Sequence, residues 1–194
     1  KEEGVHSVVY TGYGEGSLIP ALFDELKNAG IKIIYRDINP SPENTRTAEA
    51  AGADIIVATG FDEGGTLPGV ALGTFSIVPL IADAVRNIPV MAAGGITDRR
   101  SARAAHALGA HGVFAGSAFI STIESRVPQS VKEKIIAANG LDMRLFRTLP
   151  DYYRSLPGKL AEKLVALDKS GASKEELAKV MGGLRGLRLG MLEG

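Results

Sequence analysis

Two short runs of small residues, Ala92-Ala93-Gly94-Gly95-Ile96 and Phe114-Ala115-Gly116-Ser117-Ala118, stand where chemistry could be done. Each closes an apolar, strand-like segment and comes just before a helix. Glycine lets backbone N–H groups approach an anion closely, and a helix N-terminus adds partial positive charge. Two such turns on consecutive strands can clamp one phosphate between them, as after the last two strands of many (β/α)8 barrels. As turns alone they would need glycine only to bend the chain.

A third run, Thr59-Gly60-Phe61-Asp62-Glu63-Gly64-Gly65-Thr66-Leu67-Pro68-Gly69, is long and polar. Asp62 and Glu63 are candidates for acid or base work there, against the plainer reading of solvated loop carboxylates. A fourth run, Thr11-Gly12-Tyr13-Gly14-Glu15-Gly16-Ser17, is followed at a distance by Asp37. Strand, G-x-G, helix, strand, acid is the order of a dinucleotide-binding unit, but the third glycine of that fingerprint falls on Ser17. His6, His106 and His111 have no metal-ligand spacing. Neither a nucleophile elbow nor a P-loop is found. Arg36, Arg99, Arg100, Arg103, Arg144 and Arg147 are scattered and read as solvated.

The elements that would position these runs repeat one unit. Continuous β-branched segments at 5–10, 31–35, 54–58, 89–93 and 112–115 read as buried parallel strands. Between them, 18–28, 44–51, 77–86 and 99–108 have helical spacing. Gly30, Gly52 and Gly109 fall where a helix-ending glycine belongs, and Asp98 is placed to cap the helix that follows it. From about Ile120 onward no strand pattern is visible. There 131–138, 159–167 and 173–184 read as helices, the last opened by a Ser173/Glu176 capping box. The expected division is a strand–helix part over 1–120 and a helical segment or subdomain over 121–194. Five βα units fit either an open doubly wound sheet or part of a (β/α)8 barrel. The paired phosphate turns favour the barrel, of which these would be the last five units.

The composition narrows the field. The 194 residues hold 22 Lys+Arg and 22 Asp+Glu, so net charge is zero and gives no footprint for nucleic acid. Hydrophobic residues at 45% suit a folded globular chain rather than a disordered one. No apolar run is long enough for a membrane helix, and the start has no signal-peptide pattern. With no cysteine, thiolate metal sites and Cys nucleophiles are out, and a cytoplasmic location is expected.

Several segments occur together in a specific order. They are 51–58, Glu63-Gly64-Gly65, Gly73-Thr74-Phe75 with Pro79, 89–96 with Asp98, Leu108-Gly109-Ala110, and Gly116-Ser117-Ala118-Phe119. This ordered set resembles the nitronate monooxygenase family, formerly the 2-nitropropane dioxygenases, which includes flavin-dependent enoyl-ACP reductases. The resemblance implies a (β/α)8 TIM-type barrel with FMN at its mouth and an inserted helical subdomain. Gly94, Gly95, Gly116 and Ser117 would then hold the FMN phosphate, with Phe114 and Ala115 beside them. Thr59, Gly64 and Gly65 would line the flavin. The five strands would be numbers four to eight, so a fragment or cleaved product of the barrel is expected.

The sequence departs from the family at informative places. Relatives usually carry a catalytic His after the Gly-Gly of the third loop; here that position is Thr66, whose hydroxyl is no base near neutral pH. Relatives often have Gln at the positions of Thr59 and Phe114. The resemblance therefore implies an FMN-dependent oxidoreductase of nitronate monooxygenase type, acting on a small-molecule nitronate. The alternative is an enoyl-ACP reductase using NADH or NADPH on an enoyl thioester. A non-catalytic phospho-ligand module and a dinucleotide-binding sheet built on Gly12, Gly14 and Asp37 remain open. No metal, nucleic-acid or membrane partner is expected; a homodimer is.

Overall fold

The computed structural model describes residues 3–14, 16–188 and 190–191. Strands and helices alternate as the sequence pattern predicts. They run β1 (Ser7–Gly12), α1 (Pro20–Asn28), β2 (Lys32–Asp37), α2 (Pro42–Ala50), β3 (Ile55–Thr59), β4 (Gly65–Leu67), α3 (Thr74–Ala84), β5 (Val90–Ala93), α4 (Arg99–Ala107) and β6 (Gly112–Phe114). Then follow α5 (Gln129–Ala137), β7 (Arg144–Arg147), β8 (Tyr152–Ser155), α6 (Lys159–Lys169), α7 (Lys174–Met181) and α8 (Leu184–Arg188).

The chain divides into two units. The first draws on Lys1–Glu63 and Val70–Ala115, the second on Gly64–Gly69 and Gly116–Gly194.

In the first unit five strands form one parallel sheet in the order β1-β2-β3-β5-β6. That order follows the chain with no reversal, so there is no topological switch point. A doubly wound sheet needs one. The helices all pack on the same face. Phe23 of α1, Ala48 of α2, Ile77, Val78 and Ile81 of α3 and Ala105 of α4 share one core with Ile33, Tyr35, Ile56, Ala58, Val90 and Ala92. The register carries the alternate residues Val9, Ile34, Arg36, Val57, Met91, Ala93 and Phe114 to the opposite face. One-sided helices over sequential parallel strands make an arc of a (β/α)8 barrel rather than an open sheet.

The local reasons are legible. Tyr10, Phe23 and Tyr35 pack with ring centroids 5.1 to 6.3 Å apart, which docks α1 onto β1 and β2. Ser41 and Asn44 form a reciprocal capping box on α2, with Pro42 in the first turn. Asp98 caps α4 as expected, accepting from the amides of Arg100 and Ser101. Gly30, Gly52 and Gly109 do end their helices at positive φ. Helix α3 starts three residues before the predicted Ile77, because its cap comes from a distant residue, described below.

The second unit differs from the reading of residues beyond Ile120 as purely helical. Its helices are present, but β7 and β8 join β4 in an antiparallel sheet of order β4-β8-β7. Four-residue strands rich in Arg and Tyr show too little alternation to be read as strands. Phe146, Ala161, Leu164 and Leu177 form the buried core here, with Phe146 stacked on Tyr153 at 5.8 Å. Arg147 ties β7 to the end of α6, donating from Nε to Asp168 at 2.5 Å and from Nη2 to the Ala172 carbonyl at 3.2 Å. The predicted helix over 173–184 ends sooner, because Gly182 adopts a left-handed conformation after Met181.

Candidate functional site

In a parallel sheet every strand delivers its carboxyl end to one edge. In the first unit that edge collects Thr59 from β3, the Gly94-Gly95 turn after β5, and Phe114 from β6 with Ala115 after it. Thr59, Ala93 and Phe114 are consecutive register partners and so share one face. Thr59 is 1% exposed, and its hydroxyl has no hydrogen-bond partner among the described residues. A buried orphan hydroxyl costs free energy unless something outside the chain satisfies it.

Around the Gly94 turn the backbone is packed too closely for side chains. Gly60 donates its amide to the Ala93 carbonyl at 2.9 Å. The Thr74 hydroxyl donates to the Gly94 carbonyl, also at 2.9 Å. A Cβ on Gly94 would stand 2.7 Å from the Thr74 hydroxyl and 2.8 Å from the Gly60 carbonyl, and φ there is +103°. The first requirement at Gly94 is therefore the fit of three chain segments. Gly95, at φ +67°, follows, and its amide and that of Ile96 meet no acceptor among the described residues. They are donors available to an anion.

Asp62 is neither free nor simply solvated. Its Oδ2 accepts from the Thr74 amide at 2.5 Å, which supplies the cap that Gly73 lacks for α3. Sequence reasoning missed this role because cap and helix lie 12 residues apart. Glu63 also leaves its expected place in solvent. Its Oε2 accepts from Arg36 Nη2 at 2.6 Å, with the two side chains 12% and 17% exposed. Arg36 is thus a half-buried ion-pair partner, not the solvated residue its sequence neighbourhood suggests.

The dinucleotide reading loses its acid. Asp37 is 2% exposed and accepts from the amides of Gly14 and Asn39 and from the Tyr35 hydroxyl, at 2.7 to 2.9 Å. Its carboxylate closes the loop after β1 and has no oxygen turned out toward a ribose. Burial, and then its bond to Asp37, push the Tyr35 phenol well above its usual range, so it stays a donor. Of the histidines, His111 accepts the Val90 amide on Nδ1 at 3.3 Å. Among the described residues no group of His, Cys, Asp and Glu could hold a metal ion. No described helix is long and apolar enough to cross a membrane.

The second unit holds the other expected positions. Gly64 and Ser117 come together there, since a Cβ on Gly64 would lie 3.1 Å from the Ser117 hydroxyl. Gly65 opens β4 at φ +83° with open space on its Cβ side. Thr66 lies within β4, opposite Tyr153. Burial raises the Tyr153 phenol above its usual range, so the β4–β8 pair offers no base near neutral pH. Gly116 has no atom within 4 Å of where a Cβ would be, and Ser117 opens a short 3-10 turn after it.

Residues 5–194 match the nitronate monooxygenase family. The protein named "Probable nitronate monooxygenase" of Bacillus subtilis is 40% identical over 128 residues, 62% of this chain and 36% of that protein. Among solved structures, FabK from Thermotoga maritima matches all of this chain and 58% of its own, at 34% identity and a TM-score of 0.83. Nitroalkane oxidase from Streptomyces ansochromogenes covers 96% of this chain and 55% of its own, at 26% identity and a TM-score of 0.72. The chain spans under half the length of the curated relatives it matches.

Proposed function

The chain belongs to the nitronate monooxygenase family, and from that premise we propose that it supplies the FMN-binding strands of a flavin-dependent oxidoreductase acting on nitronates. Two observations support a fit to FMN. The buried Thr59 hydroxyl lacks a partner on the face where the flavin ring would lie. Gly95 and Ile96 present unused amides at a strand end, where a phosphate is bound in many barrels. Gly94, Gly95, Gly116 and Ser117 would hold the phosphate, with Phe114 and Ala115 beside it; Thr59, Gly64 and Gly65 would line the ring. Bound there, FMN would supply the electron chemistry, and the chain would bind, orient and exclude water.

The observation that carries the substrate class is Thr66. It occupies the position where the family resemblance puts a base, and across the β4–β8 ladder it is paired with Tyr153, which burial keeps protonated. A nitronate is already deprotonated and asks no group to remove a proton. A second reading, an NADH- or NADPH-dependent enoyl-ACP reductase, is favoured by the structural likeness to FabK. It asks the chain for a proton donor, which Thr66 supplies poorly.

The test is a visible spectrum of the purified protein after incubation with FMN, followed by propyl-2-nitronate or NADH under air. Flavin bands with oxygen uptake on nitronate uphold the first reading. Bleaching by NADH with enoyl thioester turnover selects the second. No flavin bands at all would leave a phospho-ligand module on the same fold.

A further inference from the structure

Arg36 stands out as a cation that the proposed chemistry has not used. It lies in β2 in register with Thr11 and Val57, on the sheet face opposite the helix-packed core. Thr59 lies on that same face, two residues beyond Val57, which is about 7 Å further along the strand. The Arg36 guanidinium reaches upward from its layer, because it meets Glu63, four residues past the end of β3. The arginine therefore presents its head group near the carboxyl edge while its backbone stays level with Thr11 and Val57.

The pairing is one-sided. Of the three guanidinium nitrogens Nη2 is the one that meets Glu63, and Nε and Nη1 meet no acceptor among the described residues. A half-buried guanidinium with two unused donors is an incomplete recognition element. Glu63 fixes its orientation, and the unpartnered Thr59 hydroxyl provides a further polar contact on the same face. The two-donor edges of a guanidinium are Nε/Nη2 and Nη1/Nη2, and Glu63 holds one of the two Nη2 hydrogens. One edge is left for a planar group bearing negative charge on two adjacent oxygens, which an ammonium would match less well. Glu63 balances the guanidinium's charge, so the preference for an anion rests on the hydrogen bonds themselves, which are stronger to a charged oxygen than to a neutral one.

We propose that Arg36, oriented by Glu63, is the specificity-determining residue that selects an anionic, planar two-oxygen substrate such as a nitronate over the neutral nitroalkane. The identity of the anion rests on the nitronate reading above; the existence of the anion site does not.

The experiment uses the full chain loaded with FMN and two variants. R36M/E63Q removes both charges so that neither is left unpaired. R36K keeps the charge and the Glu63 partner but loses the fork. Nitrate, a planar and unreactive oxyanion, is titrated by calorimetry, and KM and kcat are measured for propyl-2-nitronate and for neutral 2-nitropropane. Loss of charge-assisted bonds should raise the nitrate Kd and the nitronate KM about 10- to 100-fold in R36M/E63Q. The values for R36K should lie between, kcat should change far less, and the 2-nitropropane KM should stay as in the wild type. Unchanged nitrate affinity in either folded variant overturns the proposal, as does a wild-type chain that binds no nitrate. If nitrate binding is lost in the variants but no nitronate is turned over by the wild type, the anion site stands and the nitronate reading falls.

Discussion

At the scale of single residues, glycines that look alike in the sequence answer to different demands. Gly94 is required by its own neighbours, since a Cβ would run into the Gly60 carbonyl and the Thr74 hydroxyl. Gly116 has open space on that side. Gly94→Val should therefore unfold the first unit, whereas Gly116→Val should melt as the wild type does and lose FMN. Paired melting curves and flavin-to-protein absorbance ratios read both outcomes, and a G116V protein that keeps full flavin would remove Gly116 from the phosphate site. Asp54 gives a second residue-scale test. Burial works to raise its carboxyl, but the Ile33 amide and the Lys32 and Lys27 ammonium groups outweigh it, so the group sits below its usual range. A folded value below the unfolded one means its stabilisation is complete above the ordinary carboxylate value of about 3.9 and fades as pH falls through the lower folded value. Asp54→Asn should lower the melting temperature at pH 7 and narrow its gap from wild type toward pH 3; equal gaps at both pH values would refute the assignment. What the sequence made legible at this scale was local: the Asp98 cap and the Ser173/Glu176 box lie within three residues of their partners. Asp62 on Thr74 and Arg36 on Glu63, separated by 12 and 27 positions, could not be paired without the fold.

At the scale of elements, the strand–helix rhythm of the first unit came through because buried parallel strands are long apolar runs between glycine-marked helix ends. Strands β4, β7 and β8 escaped notice because, unlike the equally short β5 and β6, they are not apolar runs but mix in Thr, Arg and Ser. Helix α2 illustrates how little apolar drive some elements need. Only Asn44, Thr45 and Ala48 of it are buried, so its reciprocal cap matters more than usual. Ser41→Ala should cost about 1 kcal/mol in a denaturant titration. A loss under about 0.3 kcal/mol would mean that packing onto the sheet, not the cap, sets where α2 begins.

At the scale of the whole chain, the expected division at residue 120 was drawn where glycine turns give way to helices. The contacts divide the chain at residue 115, and they also assign Gly64–Gly69 from the middle of the first unit to the second. That segment becomes β4, the edge strand beside β8. A fragment of residues 116–194 would lack it and leave the β8 edge bare, an invitation to self-association. It should elute as aggregate in size-exclusion chromatography, and adding a synthetic peptide of residues 62–70 should restore a monomer; a monomeric fragment without peptide would show that β4 is dispensable. The same exchange of six residues bears on how such a gene can be reshuffled. No single crossover separates the two units cleanly, because each cut leaves one of them carrying a piece of the other. Recombination that swaps residues 116–194 for another sequence inherits the old edge strand, and must match it or lose the sheet.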